Sequence, residues 1–221
     1  MSKRRALIFD MDGTIVDNMA FHTRSWLAFF QQRGRQIDAE AFFLATAGRH
    51  SREILREHLD PALSDQECTA LNDEKETLYR TLYGPHLKLV AGFETLIAQA
   101  RARGMALAVG TAAPDDNVRF TLDGLDLRRH FDSVVGAADV PRGKPAPDVF
   151  LKAAQNCGVD AADCIVFEDA PLGVEAARNA GMRVVVLTTT MPAASFASYD
   201  NVIATVPDFS TLSLDALFAV A

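Results

Sequence analysis

Two aspartates, Asp10 and Asp12, stand one residue apart in the stretch ALIFDMDGTIVDN from Ala6 to Asn18, where a short apolar run gives way to Gly13 and Thr14. Ionised carboxylates so close together at the end of a buried strand repel each other, so the pairing needs a counter-charge or a division of labour. Further along come Thr111 in VGTAA, Lys144 in RGKPAPD and the acid pair Glu168 and Asp169 in VFEDAPLG. Acids, a hydroxyl and an amine in this combination suit a phosphate ester held beside a hard divalent cation, because Mg²⁺ takes oxygen ligands and shares them with phosphate. Asp10 is then placed to attack phosphorus, and Asp12 to protonate the leaving oxygen and later deprotonate water. Thr111, the backbone at Ala112 and Lys144 are the candidate holders of the phosphoryl oxygens, and Asp10, Glu168 and Asp169 the candidate metal residues.

Such a set works only if the fold gathers it. From Met105 onward the chain alternates β-rich runs (MALAVGT, FDSVVGA, CIVFED, RVVVLTT) with amphipathic segments punctuated as helices. KPAPDVFLKAAQNCG has prolines early and Gly158 late, and APLGVEAARNAG has Pro171 at its start and Gly181 at its end. This rhythm predicts an α/β, Rossmann-like core: a parallel sheet flanked by crossover helices. In open parallel sheets ligands gather beyond the carboxyl ends of the strands, which is where each of the chemical residues falls.

ALIFD has strand character too, yet about 75 residues separate it from the helix expected near Gly92, far more than a βα connection uses. The expectation is a core of residues 1–15 and 91–221, interrupted by an all-helical cap domain at 16–90. Within the insertion, Ser64 to Glu67 reads SDQE, the spacing of a capping box, ahead of a helix carrying Leu71, Leu78 and Leu82. The aromatic set Phe21, Trp26, Phe29, Phe30, Phe42 and Phe43 reads as the core of that cap, and SLDALFAV near the C-terminus as a closing helix.

As a set, DMDGT at Asp10–Thr14, Thr111 after a strand, GKPAPDVF with Lys144, and FEDAPLGVEAARNAG with Glu168 and Asp169 resemble the four motifs of the haloacid dehalogenase-like superfamily. The helical insertion directly after the first motif, with DNMAFHTRSW and AGRHSREIL, resembles the cap of the subgroup holding β-phosphoglucomutase and many sugar-phosphate phosphatases. The resemblance implies Asp10 as nucleophile and metal ligand, and Asp12 as acid/base that also offers a backbone carbonyl to Mg²⁺. It further implies Thr111 and Lys144 as the phosphate clamp, with Glu168 and Asp169 completing the metal anchors. Dehalogenases of the superfamily lack the second acid of the first motif, so Asp12 favours phosphoryl transfer. The lysine that mutases use in the cap is not evident where expected: Tyr79 and Arg80 fall there, with Lys75 a turn earlier. Water is therefore the expected acceptor. The implied activity is a Mg²⁺-dependent phosphatase of small phosphorylated metabolites, with sugar phosphates foremost. The rivals are a β-phosphoglucomutase-type phosphohexomutase and a non-catalytic metabolite-binding protein.

In the cap, His22 fits the subgroup's DxxxxH pattern and is a candidate for substrate contact or for steadying a hinge. Arg49, His50 and Arg52 are candidates either for reading substrate hydroxyls or for a solvated helix start. The expected hinges lie near Asp17 and Asn18 and near Val90 to Gly92.

Composition narrows the partners. With 29 acidic against 22 basic residues the chain carries a formal charge of −7, and no basic run follows the opening SKRR, which argues against nucleic acid. The first apolar stretch is too short for a signal-peptide core and nothing approaches a membrane span, so a cytoplasmic protein is expected. Three cysteines in no CxxC or Cys/His spacing read as reduced, structural thiols.

Overall fold

The computed structural model describes residues 4–46 and 51–219. The apolar runs become strands: β1 (Ala6–Phe9), β2 (Ala106–Gly110), β3 (Ser133–Val135), β4 (Cys164–Glu168), β5 (Arg183–Leu187) and β6 (Val202–Val206). They form one sheet in the order β3-β2-β1-β4-β5-β6 with every pairing parallel. β1, β2 and β4 are buried at every position, as strands must be when helices cover both faces. β6 (VIATV) was not among the runs read as strands: it is an edge strand, mostly half-buried, and its register against β5 slips between Val184 and Val185.

The crossover helices are α5 (Phe93–Ala102), α6 (Asp115–Gly124), α7 (Asp148–Cys157) and α8 (Pro171–Asn179), of which α7 and α8 follow the predicted punctuation, and α9 (Leu214–Ala219) is the closing helix. Pro171 opens α8, and α7 ends at Gly158 in the left-handed region, where glycine carries no Cβ penalty. One face of the sheet buries Ile8, Ala108, Val166 and Val184 with Phe150 and Ala153 of α7 and Val174 and Ala177 of α8. The other collects aromatic rings around Phe9, which stacks on Phe167 at 4.7 Å and meets Phe93 edge-on at 5.1 Å.

The chain packs as two compact units, one of the residues up to Asp17 with those from Leu87 onward, the other Asn18–His86. Among its described residues the second unit is helical: α1 (Met19–Gln31), α2 (Ala39–Thr46), α3 (Ser51–His58) and α4 (Asp65–Tyr83), with a short 3-10 turn at Gly84–His86. Its core is Trp26, Phe29, Phe30, Phe42, Ile54, Leu55 and Cys68. The capping box forms as the spacing predicts, with the Glu67 amide donating to Ser64 Oγ and the Ser64 amide to Glu67 Oε2 at 2.8 Å. Cys68, Cys157 and Cys164 are buried free thiols.

Candidate active site

β1 runs down the middle of the sheet, with β2 on one side and β4 on the other, so chain order reverses direction there and the crevice beyond β1 is the topological switch point. The register does the placing. Phe9 pairs with Phe167 and with Val109, and the Asp10 amide donates to the Phe167 carbonyl at 2.9 Å. Asp10 therefore emerges beside Glu168, the last residue of β4, and next to the end of β2, after which Thr111 follows.

Asp10, Glu168 and Asp169 are all buried, and each offers a carboxylate oxygen within 4.8 Å of the others. Lys144 joins them from the loop before α7, its Nζ donating to Asp10 Oδ1 at 2.5 Å and to Glu168 Oε1 at 2.7 Å. Glu168 is aimed by the start of α8: its Oε2 accepts the amides of Asp169 at 2.7 Å and Ala170 at 2.8 Å. Only glycine fits at 173, because a Cβ there would stand 2.6 Å from Glu168 Oε2. Adjacent residues of an extended strand point to opposite faces. The bend into α8 turns Asp169 back, and both acids reach the same cluster.

Asp12 lies in the turn that leaves β1. Thr14, Ile15 and Val16 all direct their amides at the Met11 carbonyl, and Gly13 takes φ +77°, a conformation that L side chains rarely adopt. A Cβ on Gly13 would also come within 2.5 Å of Asp169 Cγ and 2.7 Å of Thr190 Oγ1. Thr14 Oγ1 donates to Asp169 Oδ1 at 3.3 Å, tying this turn to the end of β4. Asp12 is half-buried and outside the cluster of three, although its charge is felt at Asp10.

Thr111 is buried at the end of β2, and its hydroxyl accepts the Ala113 amide at 3.1 Å, the turn role open to it, while Ala112 between them is exposed. In the helical unit, His22 lies on α1 with Nδ1 3.0 Å from Lys75 Nζ and its ring stacked on Tyr79 at 3.8 Å. Arg52 is exposed and lies 3.6 Å from Asp65. Arg49 and His50 fall outside the described residues.

Lys75, noted in the sequence only as lying a turn before the expected cap lysine, has a setting that sequence reasoning did not foresee. It is buried, 2.8 Å from Glu76 and 5.0 Å from the centre of the Trp26 ring. The signal was available: Cys68, Lys75, Tyr79 and Tyr83 fall on one face of α4 at spacings of seven, four and four, so this lysine sits on the apolar stripe.

Electrostatics show what the carboxylate cluster lacks. Burial pushes the Asp10 carboxyl up to about 8 even with the Lys144 ammonium against it, and the charges of Glu168 and Asp12 add to the rise. Asp169 is raised well above the usual carboxylate range, first by burial and then by Glu168 and Asp10. At Lys144 burial favours the neutral amine, but the carboxylates of Asp10 and Glu168 outweigh it and hold the amine above its ordinary value. Three buried acids and one ammonium are short of positive charge, and a hard divalent ion with oxygen ligands is the species that such a donor set fits.

Comparison with known proteins agrees with this geometry. A family model for haloacid dehalogenase-like hydrolases matches residues 4–181. Fructose-1-phosphate phosphatase YqaB of Escherichia coli (strain K12) is 37% identical over 176 residues, covering 80% of this chain and 92% of that protein. Validoxylamine A 7'-phosphate phosphatase of Streptomyces hygroscopicus subsp. limoneus is 30% identical over 196 residues, covering 89% and 91%. Among solved structures, a family IA, variant 3 hydrolase of this type from Entamoeba histolytica HM-1:IMSS superposes with a TM-score of 0.91 at 25% identity, covering 97% of this chain and 98% of that one. With its sheet order, its acids at the strand ends and a family match over most of its length, the chain belongs to the haloacid dehalogenase-like hydrolases.

Proposed function

We propose that the protein is a Mg²⁺-dependent phosphatase of small phosphorylated metabolites, sugar phosphates foremost. The observation that carries this reading is the buried triad of Asp10, Glu168 and Asp169 with Lys144 against it, at the switch point of a parallel sheet. The phosphatase relatives named above, one of them acting on fructose 1-phosphate, support it.

In this mechanism Asp10, Glu168 and Asp169 would hold the cation, with a backbone carbonyl from Asp12. Mg²⁺ held there would supply positive charge that offsets the phosphate oxygens and favours the ionised Asp10 carboxylate. An Asp10 carboxylate oxygen attacks phosphorus and forms the aspartyl-phosphate while the ester P–O bond breaks. Asp12 gives its proton to the departing alkoxide oxygen, then takes a proton from the water that attacks the aspartyl-phosphate, which releases inorganic phosphate and restores Asp10. Lys144 and Thr111, with the amide of Ala112, hold the transferring oxygens. Under the same reading the inserted unit carries the substrate-selecting side chains, His22, Arg49, His50 and Arg52.

The test is a phosphate-release screen over sugar phosphates, polyol phosphates and nucleotides, run with and without Mg²⁺. Metal-dependent release of inorganic phosphate is expected. Isomerised hexose phosphate with little release would replace water by a substrate hydroxyl and make the enzyme a mutase. Binding of such esters without turnover would make it a binding protein.

A further inference from the structure

Beyond β5 the chain reads Thr188, Thr189, Thr190, and the last two reach the acid-bearing turn at Gly13. Thr188 still follows the sheet, its amide donating to the Val206 carbonyl at 2.9 Å. Thr189 leaves it, and its hydroxyl donates to the Gly13 carbonyl. The Thr190 hydroxyl is buried beside the Asp169 carboxylate, 2.7 Å from where a Gly13 Cβ would stand, without a well-formed hydrogen bond.

The Gly13 contact falls on a sensitive point. Gly13, the residue type with the widest backbone freedom, sits in the left-handed region and directly follows Asp12. The peptide joining Gly13 to Thr14 is gripped from two sides: Thr189 holds its carbonyl, and the Thr14 side chain reaches Asp169 Oδ1. With that plane fixed, the swing available to the Asp12 backbone at its glycine is curtailed, and so is the arc over which its carboxyl can wander. A proton donor is effective only within hydrogen-bond reach of the atom it serves, and displacement by about 1 Å can cost on the order of a hundredfold in rate.

We propose that Thr189 is a positioning residue for Asp12: its hydroxyl anchors the Gly13–Thr14 peptide to β5 and thereby keeps the Asp12 carboxyl aligned with the leaving-group oxygen. This rests on the reading of Asp12 as the general acid given under Proposed function. It also gives a role to threonines that no sequence motif singled out.

The experiment uses Thr189→Val in the full-length, Mg²⁺-supplied enzyme and compares kcat/KM for an alkyl phosphate with that for p-nitrophenyl phosphate. The ratio kcat/KM covers the steps up to phosphorylation of Asp10. An alkoxide needs a proton as it departs, whereas p-nitrophenolate leaves without one, so loss of alignment should fall on the alkyl ester alone. The expected result is a drop of about 10- to 100-fold on the alkyl ester with less than about 3-fold on the nitrophenyl ester, and recovery of the alkyl activity by Thr189→Ser. Equal losses on the two esters, no loss on the alkyl ester, or Thr189→Ser as impaired as Thr189→Val would each overturn the proposal. Should Thr189→Val not fold, Thr189→Ala makes the same comparison. Asp12→Asn, run in parallel, separates the two levels. A loss concentrated on the alkyl ester confirms Asp12 as the acid and leaves Thr189 to stand or fall on its own variants. An even loss removes the reading of Asp12 and the proposal with it.

Discussion

Each unit of the molecule buries a lysine against acids, and the two lysines are in opposite situations. Lys75 in the helical unit faces Glu76 at 2.8 Å and His22 at 3.0 Å: among the described residues, one ammonium meets one carboxylate and an imidazole. Lys144 in the α/β unit faces Asp10 and Glu168, with Asp169 beside them, so one ammonium serves three carboxylates. Burial is similar, with the two lysine side chains 3% and 10% exposed. Charge stoichiometry is what distinguishes them. A balanced buried pair contributes little net stability and mainly fixes geometry. An unbalanced one leaves acids whose ionisation is penalised until another cation arrives, and the raised Asp10 and Asp169 carboxyls are that penalty made visible.

The sharpest break of the comparison comes at Asp10. Asp10→Asn keeps the size of the side chain and removes the attacking oxygen, so turnover should fall by about 10³-fold or more while the fold survives. Retained activity in a phosphate-release assay, with the variant's circular dichroism unchanged, would dismiss Asp10 as the nucleophile.

Next in size are the two lysine deletions, which separate the sites directly. Removing one partner of a buried ion pair typically costs about 3–5 kcal/mol, because the other charge is stranded. Lys144→Met and Lys75→Met should therefore both lower the thermal midpoint of the metal-free protein. Mg²⁺ should then act on one and not the other. Its stabilisation of Lys144→Met should exceed its stabilisation of the parent protein, since it replaces the missing charge, whereas Lys75→Met should gain no more than the parent does. A second change, Glu76→Leu, should recover much of the loss in Lys75→Met by removing the stranded carboxylate. Equal Mg²⁺ responses in the two lysine variants would mean that the carboxylate cluster is not short of charge.

These contrasts also explain what could be read from the sequence. The α/β unit was legible because its strands are continuous apolar runs and its acids sit at their ends: Asp10 after Phe9 and Glu168 after Phe167 become neighbours once the register aligns those two phenylalanines. The register itself was not legible, since buried parallel strands show no alternation from which to count. Asp12 and Glu168 looked alike as letters, but only Glu168 joins the cluster, because the Gly13 turn carries Asp12 onward. β6 is as apolar in sequence as β5, with VIATV beside RVVVL, and its run went unread. Lys75 and His22 lie 53 residues apart, and their meeting depends on how α1 and α4 pack, which neither helix declares alone. The role of Thr189 was hidden for a related reason, as its partner is a backbone carbonyl 176 residues away that no side-chain pattern marks.

The smallest effect lies at the amino end of the same sheet, where charges are matched one to one. Asp132, just before β3, accepts the Leu107 amide at 2.9 Å and Arg101 Nη1 at 2.8 Å. Burial works to raise its carboxyl, but the Leu107 amide and the Arg101 guanidinium outweigh it and hold the group below its ordinary value. A depressed acid contributes stability that is fully present above the unfolded-state value and is lost as pH falls through the folded one. Asp132→Asn should therefore destabilise the protein by about 1 kcal/mol at neutral pH, where the charge-assisted bond is intact. The deficit should shrink as the solution is taken below about pH 4. Urea midpoints of the two proteins at neutral and acid pH would measure this, and a deficit that grows on acidification would reverse the sign and refute the assignment. The direction is what matters: at the matched end of the sheet a carboxylate paired with Arg101 is stabilising, while at the other end three acids share one ammonium, and this asymmetry along the strands confines the chemistry to their carboxyl ends.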